Sequence, residues 1–194
     1  RVLSIDFFSA CPGAYYAWFA QETAREGVAP NAAHRFLADL ERAGRLRAVV
    51  TQNIDGLHQA AGSKRVFELH GNWTRLECTG CGARSTIDDS DEARAGRVPH
   101  CPSCSAVVRP DIVFYGEALD PATLEGAVLA IAGADMLIVG GTSLAVYPAA
   151  GLIDYYQGGR LVLMNATPTP YDGRADLIIR EPIGRVFAQI QGHV

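Results

Sequence analysis

Apolar positions recur along this chain in two rhythms. After Asn31, Ala33, Phe36, Leu37 and Leu40 fall at the spacing of one helix face, with Asn31 as the entry cap and Gly44 as the stop. Elsewhere the apolar residues come in short unbroken runs. These are Ala48-Val49-Val50 within Arg47–Thr51, Val66–Leu69, Met136–Val139, Leu161–Met164 and Leu177–Ile179. Such runs have the length of strands buried on both faces. Helix signals lie between them. Asp55 is placed to cap a helix through His58 and Ala61 to Gly62. Pro148 suits the first turn of a helix through Ile153 to Gln157 that Gly158-Gly159 ends, and Val186–Ile190 lies on a closing helix. Buried strands alternating with helices predict an α/β fold, a parallel sheet with helices on both faces.

Residues 77–108 break the rhythm. They hold charge, Gly, Pro and Ser but little apolar periodicity, so the segment needs a staple in place of a core. Cys78, Cys81, Cys101 and Cys104 supply one, in the spacing C-x2-C-x19-C-x2-C. Two C-x-x-C hairpins present four thiolates in a tetrahedron, the donor set of a structural zinc, with no open position for water. A redox pair is the weaker alternative. Gly80 and Gly82 let the first turn tighten, and Pro102 stiffens the second. The lone Cys11 is expected to be a small buried apolar side chain.

Composition narrows the class. The 194 residues are 48% hydrophobic, enough for one core and a small satellite, and the formal charge of −4 argues against a dedicated nucleic-acid binder. No apolar run approaches the roughly 18 residues of a membrane helix, and the first residues show no charged-then-apolar pattern, so no secretory signal is expected. Five cysteines, four of them paired as C-x-x-C, fit metal binding in a reducing compartment better than a disulfide framework, so a cytoplasmic protein is expected.

In an open α/β sheet, ligands sit beyond the carboxyl ends of the strands. Gln52-Asn53-Ile54-Asp55, Gly140-Gly141-Thr142-Ser143 and Asn165-Ala166-Thr167 all stand at such ends. Glycines let backbone N–H groups approach a phosphate, and hydroxyls add donors. Each one alone reads more readily as an ordinary turn or cap; the three together point to a nucleotide site. His70 follows a strand and precedes Gly71 at the same sheet edge, where a general base is useful. His34 reads as structural, His58 as a helix-face residue, His100 as a neighbour of the metal turn and His193 as part of the tail.

Taken together, Thr51–His58, Glu68-Leu69-His70-Gly71, the paired cysteines, Arg109–Glu117, Gly141–Leu144 and Val146–Ala150 resemble the sirtuins, NAD-dependent protein deacylases, over nearly the whole chain. The resemblance implies a Rossmann-like NAD-binding domain of residues 47–76 and 110–194. It also implies a small domain built from a helical module (1–46) and a zinc module (77–109). The expected reaction attacks the nicotinamide ribose with the acyl oxygen of an acetylated lysine. Nicotinamide leaves, and His70 as general base activates a ribose hydroxyl toward the resulting imidate. Products are free lysine and O-acetyl-ADP-ribose, and activity should fall on acidification.

By motif position, Asn53 holds the reactive ribose and its water, Asp55 and Ile54 the nicotinamide amide, and Gln52 the ribose hydroxyls. Gly141, Thr142 and Ser143 cradle phosphates and ribose. Asn165 meets the adenosine ribose, with Ala166 and Thr167 beside it. Val113, Tyr115 and Val146 line the acyl-lysine tunnel. Gly116-Glu117 and Val146-Tyr147 flank an acetylated protein or peptide as an added strand. Sirtuins that prefer acidic acyl groups carry Tyr-x-x-Arg before the Pro-Asn-Ala-Ala-His stretch. Here Tyr16 is followed by Phe19 in the Arg position, so acetyl or a longer apolar acyl group is expected. Arg25 is a cation that could reach in from elsewhere.

Two features of the family, an opening strand with Gly-Ala-Gly-Ile-Ser and a Pro-Asp-Phe-Arg segment, do not occur in these residues. The expectation is that the natural protein is longer by a few tens of residues, on the order of one βα unit. These 194 residues alone are expected to bind NAD poorly and not to deacylate. Two alternatives remain, protein mono-ADP-ribosyl transfer and a catalytically weak, zinc-stabilised binding module.

Overall fold

The computed structural model describes residues 2–24 and 28–190; Arg25 and His193 lie outside them. In chain order the elements are α1 (Ile5–Ala10), α2 (Pro12–Thr23), α3 (Ala32–Arg42), β1 (Val49–Thr51), α4 (Leu57–Ala60), β2 (Val66–Glu68) and β3 (Gly71–Cys78). They continue with β4 (Arg84–Thr86), α5 (Asp91–Arg94), β5 (Val108–Ile112), α6 (Pro121–Ala132), β6 (Leu137–Gly140), β7 (Leu161–Met164), β8 (Leu177–Ile179) and α7 (Ile183–Ile190).

The chain folds as two compact units. One comprises Arg1–Val28, Asn53–Gly56 and His70–Leu119; the other comprises Ala29–Gln52, Leu57–Leu69 and Asp120–Val194. The helical stretch of residues 1–46 is shared between them, because α3 packs with α7 while α1 and α2 pack with β3 and β5.

The first unit is built on an antiparallel sheet of order β4-β3-β5. Its core is aromatic. Phe8, Tyr15, Tyr16, Phe19 and Phe114 gather with Leu76 and Ile112, and Phe8 meets Tyr15 edge-on at 5.1 Å between ring centres. The Tyr16 hydroxyl donates to the Val108 carbonyl at 2.7 Å, so the buried phenol is satisfied. Cys11 is exposed, contrary to the expectation of a buried thiol, because it occupies the joint where α1 stops and Pro12 starts α2.

The second unit holds the parallel strands in two sheets, β1-β2 and β6-β7-β8. Every residue of β7 is buried. Val162 and Met164 pack against Ala33, Phe36, Val186 and Phe187 of α3 and α7. Leu161 and Leu163 point to the opposite face and are buried there as well, so both faces are covered. α3 has the expected cap. The Asn31 side chain accepts from the Ala33 and His34 amides, and His34 Nδ1 accepts from the Asn31 amide. That bond makes His34 structural.

Two elements differ from expectation. α4 begins at Leu57 and ends at Ala60, because Gly56 with φ +71° turns the backbone between Asp55 and the helix. Residues Ala149–Tyr155 form a 3-10 helix, with the Tyr156 amide bonded to the Ile153 carbonyl at 3.2 Å; Gly151 weakens the α-helical alternative.

Candidate active site and metal centre

The four cysteines converge. Their sulfurs all lie within 4.8 Å of one another, with Cys78–Cys104 at 3.3 Å and Cys81–Cys101 at 3.6 Å. A zinc–sulfur bond of about 2.3 Å gives a tetrahedron with edges of about 3.8 Å. The cluster therefore fits one zinc ion. The two hairpins repeat each other. The Gly82 amide reaches the Cys78 carbonyl at 3.0 Å, and the Ser105 amide the Cys101 carbonyl at 2.8 Å. Both turn residues are left-handed, Gly82 at φ +70° and Ser105 at +61°. The Gly80 and Cys81 amides point at the Cys78 sulfur, at 3.3 and 3.5 Å.

β3 starts one residue after His70 and ends on Cys78. His70 itself sits half-buried in the turn between β2 and β3, and its carbonyl accepts from the Val113 amide at 3.0 Å. This bond sets the candidate base beside the candidate tunnel wall. A Cβ on Gly71 would lie 2.1 Å from the Asp111 carbonyl oxygen, so only glycine lets the turn close onto β5. The loop Asn53–Gly56 belongs to the same unit. The Trp73 amide donates to the Ile54 carbonyl at 3.0 Å, and Asn53 Nδ2 approaches Asp55 at 3.4 Å. Asn53 is exposed, while Ile54 and Asp55 are half-buried.

Around Val113 the remaining substrate candidates separate by role. Tyr115 is 69% exposed, while its backbone amide and carbonyl are bonded to Leu3 and Ile5. The Glu117 carboxylate takes both terminal nitrogens of Arg109, at 2.6 and 2.7 Å, and the Phe114 amide at 2.8 Å. It braces the turn at Gly116, whose φ is +99°. The Arg109 guanidinium lies 4.7 Å from the centre of the Phe114 ring.

In the second unit the carboxyl ends of β6 and β7 adjoin. The Gly141 amide reaches the Met164 carbonyl at 3.1 Å, and Gly141 has φ +66°. Thr142 Oγ1 accepts from the Leu144 amide at 3.2 Å, and Ser143 is exposed. Asn165 takes its place through its amide to the Ile179 carbonyl, and its Nδ2 donates to the Thr167 carbonyl at 2.9 Å. Ala166 is exposed. Gln52 follows the end of β1 in this unit. Val146 and Tyr147 are also exposed here, and Tyr147 precedes Pro148 through a cis peptide. A left-handed glycine with hydroxyl and amide side chains at adjoining strand ends is a donor set that fits a dinucleotide.

The Sir2 family model matches residues 1–148 of the chain. The chain belongs to the Sir2 family. It is 45% identical to an NAD-dependent protein deacetylase of Clostridium acetobutylicum over 97% of this chain and 77% of that one. An NAD-dependent protein deacetylase of Clostridium perfringens is 46% identical over 98% and 78%. Among solved structures, one described as Sir2 bound to acetylated peptide superposes with a TM-score of 0.90 at 40% identity, covering 99% of this chain and 82% of its own. Another, described as Sir2-p53 peptide-NAD+, gives 0.88 at 40%, covering 100% and 82%. The sirtuin fold is thus that of the whole described chain.

Sequence reasoning passed over two residues of this sirtuin. Arg109 was only part of a motif, yet it holds Glu117 and stacks on Phe114. Asn72 is buried beside the His70 turn, and its Oδ1 accepts from the Thr74 amide at 2.9 Å. An Asn two residues before a Thr was the only available signal. No helix among the described residues is long and apolar enough to cross a membrane.

Proposed function

We propose that the protein is an NAD-dependent protein-lysine deacetylase that releases nicotinamide, free lysine and O-acetyl-ADP-ribose. The observation that carries this reading is the arrangement within one unit of His70, Val113 and the Asn53–Gly56 loop, in a Sir2 family chain whose curated relatives are deacetylases. His70 acts as general base, taking the proton of a ribose hydroxyl as that oxygen attacks the former acetyl carbon. Asn53 orients the reactive ribose, Ile54 and Asp55 the nicotinamide amide, and Gln52 the ribose hydroxyls. Gly141, Thr142 and Ser143 take the phosphates and ribose, and Asn165, Ala166 and Thr167 the adenosine end.

Val113, Tyr115 and Val146 enclose the acetyl-lysine stem, and Gly116-Glu117 and Val146-Tyr147 flank the peptide backbone. The Glu117 side chain braces its own turn, so its contribution to the peptide is through the backbone. Tyr16 and Phe19 are both 0% exposed, and the Tyr16 hydroxyl is committed to Val108. This supports acetyl over an acidic acyl group, because the Phe19 ring offers a carboxylate neither a charge nor a hydrogen bond. One zinc ion on Cys78, Cys81, Cys101 and Cys104 has a structural part, with no ligand position left for chemistry. Reduced thiols suit a cytoplasmic setting.

The test is an assay of the protein with NAD and an acetyl-lysine peptide, read by mass spectrometry. Nicotinamide, deacetylated peptide and O-acetyl-ADP-ribose should appear in equal amounts. His70→Ala should lower turnover by on the order of 100- to 10,000-fold while NAD affinity stays within about twofold. ADP-ribose on protein with the acetyl group intact would instead establish mono-ADP-ribosyl transfer.

A further inference from the structure

β3 and β5 do not pair continuously. Gly71 and Asn72 stand opposite Ile112 and Asp111, and pairing resumes at Leu76 opposite Pro110. Trp73, Thr74 and Arg75 have no residue of β5 opposite them, so the strand carries a wide bulge immediately after the His70 turn. Bulges next to active sites redirect backbone groups. Here the Trp73 amide, outside the ladder to β5, donates to the Ile54 carbonyl at 3.0 Å and holds the loop that bears Asn53 and Asp55.

Asn72 closes this bulge. It is 4% exposed. Its Oδ1 accepts from both the Thr74 amide at 2.9 Å and the Thr74 hydroxyl at 2.8 Å. Its Nδ2 lies 3.2 Å from where a Cβ on Gly56 would stand, and Gly56 has φ +71°. Across the bulge, Arg75 Nε reaches Asp111 at 2.8 Å. One side chain therefore shapes the bulge on one side and meets the end of the 53–56 loop on the other, two residues from His70.

We infer that Asn72 is a positioning residue for the reaction: by closing the β3 bulge it fixes where Asn53–Asp55 stand relative to His70. It touches no reacting atom; its effect passes through the loop. The inference rests on the deacetylase reading for its catalytic part and on the bulge alone for its structural part.

The test compares Asn72→Ala and Asn72→Ser with the wild type. Amide hydrogen exchange of residues 53–57 and steady-state kinetics are measured on the same protein. The Ala variant should speed exchange in that segment about tenfold and lower kcat on the order of 10- to 100-fold, while the KM for acetylated peptide stays within about twofold. The Ser hydroxyl can still accept from the Thr74 amide, so this variant should recover most of both effects. A merely structural residue would instead move peptide KM and kcat together, without rescue by Ser, and that result overturns the inference. Unchanged exchange at 53–57 in the Ala variant overturns it too. If Asn72→Ala does not fold, Asn72→Ser carries the test, and fast exchange in that variant refutes the inference. Faster exchange in Asn72→Ala alongside a wild type that does not deacetylate would remove the deacetylase reading and leave the bulge's hold on the loop established.

Discussion

At Gly71 the backbone has φ +75°, and a methyl group would meet Asp111 and Ile112 main chain at 2.1 and 2.9 Å. Neither obstacle is a side chain that can swing aside. Gly71→Ala should therefore cost about 3 kcal/mol or more, through both the left-handed conformation and the clash. Urea unfolding measures this, and a loss under 1 kcal/mol would show that β5 yields. His70 was legible in the sequence because it follows an apolar strand run at the sheet edge that carries the nucleotide candidates. Asn72 was not legible. Its burial depends on the register between β3 and β5, which no local pattern states. The same holds for Ser105, which takes in the second metal hairpin the left-handed place that Gly82 takes in the first.

Among the elements, α3 and β7 were the most readable. A polar cap, a helical apolar period and a glycine stop bound α3, and an unbroken apolar run marks a strand buried on both faces. α1 went unread and α2 was reached only through the family resemblance. In α2 Tyr15, Tyr16 and Phe19 bury one face, but the exposed face is largely Gly13, Ala14 and Ala17, so no polar run marks it in the sequence. The turn after β5 depends on an ion pair that is mostly buried, Arg109–Glu117, with side chains 21% and 25% exposed. Burial raises the Glu117 pKa, but the bonds from Arg109 and the Phe114 amide outweigh it and hold the carboxyl below its usual range. A folded value below the unfolded one means the stabilisation is complete above the ordinary glutamate value of about 4.3 and fades as pH falls through the folded value. Glu117→Gln should thus cost about 2 kcal/mol at pH 7, discounted for partial exposure, and far less near pH 3. Thermal unfolding of both proteins at the two pH values measures the difference. An equal gap at both would assign the cost to packing.

For the molecule as a whole, β3 is the link that matters. Its eight residues span about 27 Å, from the His70 turn to the first cysteine ligand. Removing the metal leaves four sulfurs crowded without a cation and frees the far end of that strand. A chelator should abolish deacetylation and quench the ordered aromatic signal of Phe8, Tyr15, Tyr16 and Phe114 in near-UV circular dichroism. Adding back one equivalent of zinc should restore both. Activity that survives complete metal loss would uncouple the two ends of the strand.

The first unit is also assembled from three separated stretches of polypeptide. Phe8, Tyr15, Tyr16 and Phe19 emerge from the ribosome well before Leu76, Ile112 and Phe114, the residues that cover them. At about 5–20 residues per second, these rings wait several seconds in water. Early in its life, then, the nascent chain is a client for whatever shelters greasy helices near the exit tunnel, and translation speed through residues 24–114 sets how long that shelter is needed.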